Sequence, residues 1–237
     1  MPVSNRKTAV RLFFVSGTVS VLLAGMLFMY NLREDMRAAK LAEDVMEKFH
    51  AELEDSYIKD EADSQQFINT ENSIPDFILN PDMEMPAEEI DGNKYIGYLM
   101  FPTIDAELPV MSSLSYAGLK TAPCLYTGSV YKGNAVIAAH NYKSNFGQLF
   151  DLESGDPVTF VDVDGNIFRY EIVIREVLDP KAIEEMICGD FDLTLFTCTY
   201  GGKKRFTVRC RLYDAPVLFR TAAGNRDGKL SAMLRER

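Results

Sequence analysis

The chain has no tryptophan and only two histidines, His50 and His140, among its 237 residues. Its four cysteines, Cys124, Cys188, Cys198 and Cys210, include no C-x-x-C pair. A zinc site draws on clustered Cys and His, so no metal is expected, and no other cofactor is expected either. A disulfide framework is not expected, because 47% of the residues are hydrophobic and the chain is long enough to build its own core. Acids are missing from residues 1–33, which carry Arg6, Lys7, Arg11 and Arg33. A basic face is missing from residues 92–237, where 17 acids balance 17 bases, so nucleic acid is not expected as a partner. The acidity sits in residues 34–91, with 18 acids against 4 bases.

Residues 12–30 hold no charge over 19 positions, long enough for a helix to cross a bilayer core. A secretory signal has a shorter apolar core and a small-residue cleavage site, so an uncleaved anchor is favoured. The bases before the span put residues 1–11 in the cytoplasm and everything after the span outside. Residues 31–58 space Leu32, Met36, Ala39, Ala42, Val45/Met46, Phe49, Leu53 and Tyr57 by three and four, the pattern of an amphipathic helix. His50 lies in it as a solvated residue. Residues 59–91 lose that period and read as an acidic tether of low order, with 74–79 able to drape on the folded part. Anchor and tether are expected to supply location only, so a fragment starting near residue 88 should keep its activity.

The folded part is expected over 92–220, ahead of a polar tail at 221–237. Strands are predicted at 95–101, 108–111, 135–140, 158–163, 167–177 and across 193–213, with Asp164-Gly165 as a hairpin turn. Short helices are predicted at 115–120, 146–152 and 180–188. About eight short strands with small helices in the connections make a barrel or a sandwich.

The chemistry is expected at strand ends. His140 closes an apolar strand, Cys198 closes another, and Arg205 opens the strand paired with it across Gly201-Gly202. An imidazolium and a guanidinium beside a thiol favour the thiolate, and the imidazolium can protonate a leaving amine. Arg205 can instead face an oxyanion. The implied chemistry is acyl transfer through a thioester. The bland readings are a core cysteine, a core histidine and an arginine that shares a solvated face with Arg209 and Arg211.

The run Thr194-Leu195-Phe196-Thr197-Cys198 resembles the TLxTC signature of sortases, the extracellular transpeptidases of Gram-positive bacteria. The order His140, Cys198, Arg205 and the N-terminal anchor are similar to that family as well. The resemblance covers roughly residues 92–214. It implies a mostly β fold, a closed eight-stranded barrel with short helices in its connections, preceded by one transmembrane helix. It further implies Cys198 as nucleophile, His140 as general acid/base, and Arg205 stabilising the oxyanion or gripping the substrate backbone. Thr194, Thr197, Asn141 and Tyr142 are then expected beside the substrate. The implied partners are surface proteins with a sorting signal, and as acceptor an amine of a peptidoglycan precursor or a pilin. The run 140–149 and the helix at 180–188 resemble class B sortases. No hydrophobic C-terminal segment of the kind found in many class C enzymes is seen.

Two other readings remain at this point. His140 and Cys198 are 58 residues apart, near caspase spacing, but the caspase signature Q-A-C-[RQG]-G is absent. A non-enzymatic wall or pilus component would also carry a β-domain on an anchor.

Overall fold

The computed structural model describes residues 4–63, 75–187, 190–214 and 216. Cys188 and the tail expected at 221–237 lie outside the described residues, as do residues 64–74. One helix, α1 (Ser4–Asp63), runs without a break through the two segments predicted as anchor and amphipathic helix. Its apolar part, within Ala9–Ala51, is long enough to cross a membrane, and the most apolar stretch is not covered by the rest of the chain.

Among the described residues nine strands follow: β1 (Glu88–Ile90), β2 (Asn93–Phe101), β3 (Ala106–Met111), β4 (Cys124–Thr127), β5 (Ala135–Ala138), β6 (Pro157–Asp162), β7 (Ile167–Leu178), β8 (Leu193–Cys198) and β9 (Arg205–Leu212). Eight of them form the ring β2-β3-β4-β5-β8-β9-β7-β6, and β6 pairs back onto β2 to close it. Short helices α2 (Asp76–Leu79), α3 (Tyr116–Leu119) and α4 (Ile183–Ile187) sit in connections, with a 3-10 turn at Phe146–Asp151. The expected eight-stranded barrel with short connecting helices is therefore found.

Closure depends on one glycine. Gly97 has φ 144° beside a bulge in β2, and a Cβ there would lie 2.0 Å from Val161 O on β6. Only a residue without a side chain lets the first and last staves of the barrel meet. Alternate residues then face inward, and Leu99, Ile137, Phe160, Leu195 and Val208 are fully buried in one cluster.

Several boundaries differ from the sequence reading. β1 lies in the region expected as tether, where Asp91 and Gly92 turn it back on β2 with φ 51° and 75°. Phe77 of α2 stacks on Tyr131 at 4.4 Å and joins the barrel core. The stripe that α1 buries is Ala38, Ala42, Val45, Met46 and Phe49, whereas Leu32 and Met36 stay exposed. Small alanines let the helix approach closely, and the covered stripe lies slightly round the helix from the one predicted. His50 is not simply solvated: its ring meets Tyr98 edge-on at 5.8 Å, and Nε2 lies 3.5 Å from Glu107. A fragment starting at residue 88 would strip Phe77, Val45, Met46 and Phe49 from apolar contacts, so the segment before the barrel supplies packing as well as location.

Asp162, 1% exposed, ends β6 and organises the β6–β7 turn. It accepts bonds from the Asn166 backbone N–H (2.8 Å), Asn166 Nδ2 (2.8 Å) and the Tyr131 hydroxyl (2.9 Å). Burial pushes its carboxyl up to about 6, against those three bonds, which favour the ionised form. A folded-state pKa raised above the unfolded value gives stability that is present at low pH and lost as pH rises through the folded pKa. We expect the unfolding free energy of the wild type, relative to Asp162→Asn, to rise by about 1 kcal/mol between pH 7 and pH 5. Urea unfolding of both proteins at the two pH values checks this; a pH-independent difference would contradict it.

Candidate active site

β5 is a run of small and branched apolar residues, Ala-Val-Ile-Ala, all four buried. It pairs in parallel with β8, and Ala138 stands opposite Phe196. The ladder continues one step past β5, where the Ala139 N–H donates to Phe196 O at 3.2 Å. His140 and Cys198, each two residues beyond the Ala138–Phe196 pair, therefore leave the sheet at one level. On the other side of β8, Cys198 stands directly opposite Arg205 in the antiparallel pair with β9. Three adjacent strands, about 4.8 Å apart, thus bring histidine, cysteine and arginine to one end of the barrel in register. All three line a cleft of about 260 Å³ on its outer face.

Thr197 sets which way the cysteine points. Its side chain is 1% exposed, inside the barrel, and its hydroxyl donates to Ala139 O at 2.8 Å. By alternation Cys198 faces out. Cys198 is half-buried, whereas Cys124 and Cys210 are buried in the core. Burial pushes the Cys124 thiol up to about 11 and raises Cys210 as well, so neither thiol supplies a ready thiolate. Among the described residues Cys198 is the one thiol that reaches the cleft.

The loop after His140 is tied by its own backbone. Tyr142 O accepts from Asn145 N (3.0 Å) and Gly147 N (2.8 Å), and His140 O accepts from Phe146 N (3.1 Å). A Cβ on Gly147 would lie 2.5 Å from Tyr142 O, so this tight loop needs glycine there. A second restraint comes from α1, where Asp35 Oδ1 accepts from the Ser144 backbone N–H (2.9 Å) and hydroxyl (2.6 Å). The His140 and Tyr142 rings lie 5.0 Å apart.

The imidazole is held below its ordinary pKa, first by burial and then by the positive charge of Lys120. Both effects disfavour the imidazolium, so they work against the expected stabilisation of a thiolate by a charged His140. The Arg205 guanidinium folds over its hairpin, with Nη1 donating to Gly202 O (3.3 Å) and Lys204 O (3.2 Å).

The cleft walls are apolar. Leu114 and Leu119 stand on one side, and Ala182, Ile183 and Met186 on the other; Phe196 is braced edge-on by Tyr126 at 5.6 Å. The wall at Ala182 to Met186 is held by Arg209, which is 3% exposed. Its guanidinium donates to Glu176 Oε1 (2.8 Å), Met186 O (2.8 Å), Glu185 O and Thr194 Oγ1 (3.1 Å). Arg209 is thus a buried tie between α4 and the sheet, not a base on a solvated face. Replacing it would loosen the wall rather than pass unnoticed.

Of the residues expected to contact substrate, Asn141 and Tyr142 sit half-buried on the histidine loop. Thr197 borders the cleft beside Cys198, with its hydroxyl turned to Ala139 O, and Thr194 is 3% exposed with its hydroxyl accepting from Arg209. Sequence reasoning missed Lys120, Tyr126 and Asp35, which reach the site from the end of α3, from β4 and from α1. No local pattern marks such residues.

A closed eight-stranded barrel with a strand-end Cys, His and Arg in register defines the class of domain. Residues 99–213, just under half of the chain, match the family model described as the sortase domain. Sortase A of Bacillus anthracis is 28% identical over 142 residues, 55% of this chain and 66% of that relative. The chain thus spans just under two thirds of the relative's length. Among solved structures, sortase C-3 of Streptococcus pneumoniae aligns over 85% of this chain and 98% of its own, with TM-score 0.52 and 20% identity. Another Streptococcus pneumoniae sortase C structure aligns over 75% of this chain and 98% of its own, with TM-score 0.50 and 22% identity. At those identities the two structures speak for the fold alone.

Removing the Lys120 charge should raise the His140 pKa, since the ammonium opposes the imidazolium. We expect the His140 C2 proton of Lys120→Met to titrate at higher pH than in the wild type, as read by NMR. An unchanged midpoint would show that Lys120 does not act on the ring.

Proposed function

We propose that the chain is a membrane-anchored cysteine transpeptidase acting on proteins that carry a sorting signal. One observation carries this reading: the half-buried thiol of Cys198 stands in register between His140 and Arg205 at the end of an apolar cleft. In this mechanism Cys198 Sγ attacks the scissile carbonyl as neutral His140 takes the thiol proton. The tetrahedral oxyanion faces Arg205. The C–N bond then breaks, His140 returns the proton to the leaving amine, and the acyl group remains as a thioester. An incoming amine attacks that thioester, its proton passes to His140, and the thiol is regenerated.

The family relationship supports an acceptor amine on a cell-wall precursor or a pilin. Asn141 and Tyr142, on the rim, are assigned to substrate contact. Within the family, the helix α4 before β8 and the 3-10 turn after the histidine loop support a class B type, although the relatives named above are called sortase A and sortase C. Residues 12–30 serve as the anchor, with Arg6, Lys7 and Arg11 in the cytoplasm and the barrel outside. The domain division proposed is 1–11, 12–30, 31–58, 59–91, 92–220 and 221–237, with the last part of 59–91 joined to the barrel.

Arg205→Lys tests the oxyanion assignment, because an ammonium does not reproduce the fork of a guanidinium. We expect single-turnover acylation to lose about 2–4 kcal/mol of transition-state stabilisation, with the melting temperature unchanged. Triglycine added to the wild type should divert product from hydrolysis to transfer. Full acylation by Arg205→Lys would remove that role, and indifference to triglycine would favour a hydrolase.

A further inference from the structure

α1 grips the barrel at two heights. At the lower contact Asp35 holds Ser144 of the histidine loop. At the upper one His50 meets Glu107 and Tyr98, and between the two Lys48 pairs at 2.7 Å with Asp91, in the β1–β2 turn at the Met111 end of β2. The strand register gives the barrel's direction. Met111 is level with Cys124, and Cys124 with Ala138, just short of His140. Glu107 lies towards the other end of β3, opposite Met100. Along α1, Asp35 is therefore beside the cleft end of the barrel and the His50 contact is further from it.

The apolar span stops at Tyr30. At about 1.5 Å per residue, Asp35 stands about 7.5 Å beyond that point and His50 about 30 Å. The headgroup layer on each side of a bilayer core is about 5–8 Å deep. The histidine loop thus comes down to the outer edge of that layer, and the body of the barrel stands above it.

The residues at this end suit such a surface. Tyr116 is 75% exposed, Leu114 is 40% exposed, and the Lys120 ammonium lies 5.1 Å from the Tyr116 ring centre. Tyr142 has its phenol pushed up by burial, then by Glu34, Tyr30, Tyr116 and Asp35, which places these groups around one point. Tyrosines with an apolar body and a polar tip, beside a lysine that can snorkel, are the residue types enriched at membrane interfaces.

We propose that the cleft end of the barrel is its membrane-facing end, and that Tyr116, Leu114 and Lys120, with Lys143 exposed on the histidine loop beside Ser144, rest on the lipid headgroups of the leaflet that α1 leaves. The inference depends on residues 12–30 being a membrane span. On this geometry the thiol works at the bilayer surface, and a polypeptide or amine reaches it along the membrane rather than from the open side.

The absence of tryptophan makes a clean test possible. The full chain is reconstituted in vesicles of phosphatidylcholine and phosphatidylglycerol, with or without phosphatidylcholine carrying a nitroxide on its headgroup. Single tryptophans are placed by Tyr116→Trp and Lys143→Trp at the cleft end, and by Tyr213→Trp at the far end. Tyr213 lies eight residues along from Arg205, about 26 Å of strand. Only variants with the wild-type melting temperature are compared, and two cleft-end positions guard against one failing to fold. The expected result is flotation with the vesicles, loss of roughly half or more of the cleft-end fluorescence, and little loss at Tyr213→Trp. Flotation with the cleft-end tryptophans as bright as Tyr213→Trp overturns the inference and leaves the anchor standing. Failure to float removes the anchor, and the inference with it.

Discussion

The site depends on strand register. β5 and β8 run in parallel, β8 and β9 run antiparallel, and one alignment of the three brings His140, Cys198 and Arg205 to the same level. A slip of a single residue in β8 would turn Cys198 into the barrel and Thr197 out of it. The Thr197 hydroxyl on Ala139 O opposes that slip, because a Thr197 turned outward would leave this buried bond unmade. The register is also held from a distance. The ring closes at Gly97, and strands in a closed barrel cannot shift independently.

Packing on the outer face gives the site its chemistry. Leu114 and Leu119 on one side and α4 on the other cover the stripe that ends in His140 and Cys198. The same cover desolvates the imidazole and favours its neutral form, the form that the proposed mechanism needs. α4 has only five residues, too few to hold its place by helical hydrogen bonding alone. Arg209 holds it, through bonds to Glu185 O and Met186 O and an ion pair with Glu176. One arginine of β9 serves the cleft wall, while another, four residues earlier, faces the cleft mouth.

Much of this was legible in the sequence. The apolar strands 135–140 and 193–198, the hairpin at Gly201-Gly202 and the order His140, Cys198, Arg205 are local signals, and the barrel realises them. The strand β4 was not legible, since four residues between Pro123 and Gly128 carry no period. β1 offered a missed cue in Asp91-Gly92, a pair that favours the two-residue hairpin turn. Parity placed Arg209 on the right face, but the sequence could not say that α4 covers that face, so a buried tie read as a solvated base. Thr194 and Thr197, expected beside the substrate, also carry structural bonds that the motif did not reveal: one supports Arg209 and the other locks β5 to β8. Asp35 gave no signal at all, because its partner Ser144 is 109 residues away.

α1 joins the barrel to the candidate anchor at the histidine loop, so the parts that locate the domain also touch the parts assigned to the chemistry. The central claim is that Cys198 carries the acyl group. Mass spectrometry of the full chain, quenched during turnover of a sorting-signal peptide and digested, measures this directly. The account predicts a thioester-linked acyl group on the peptide containing Cys198, and none on those containing Cys124, Cys188 or Cys210. An acyl group on any of those three, or turnover that persists in Cys198→Ala, would contradict it.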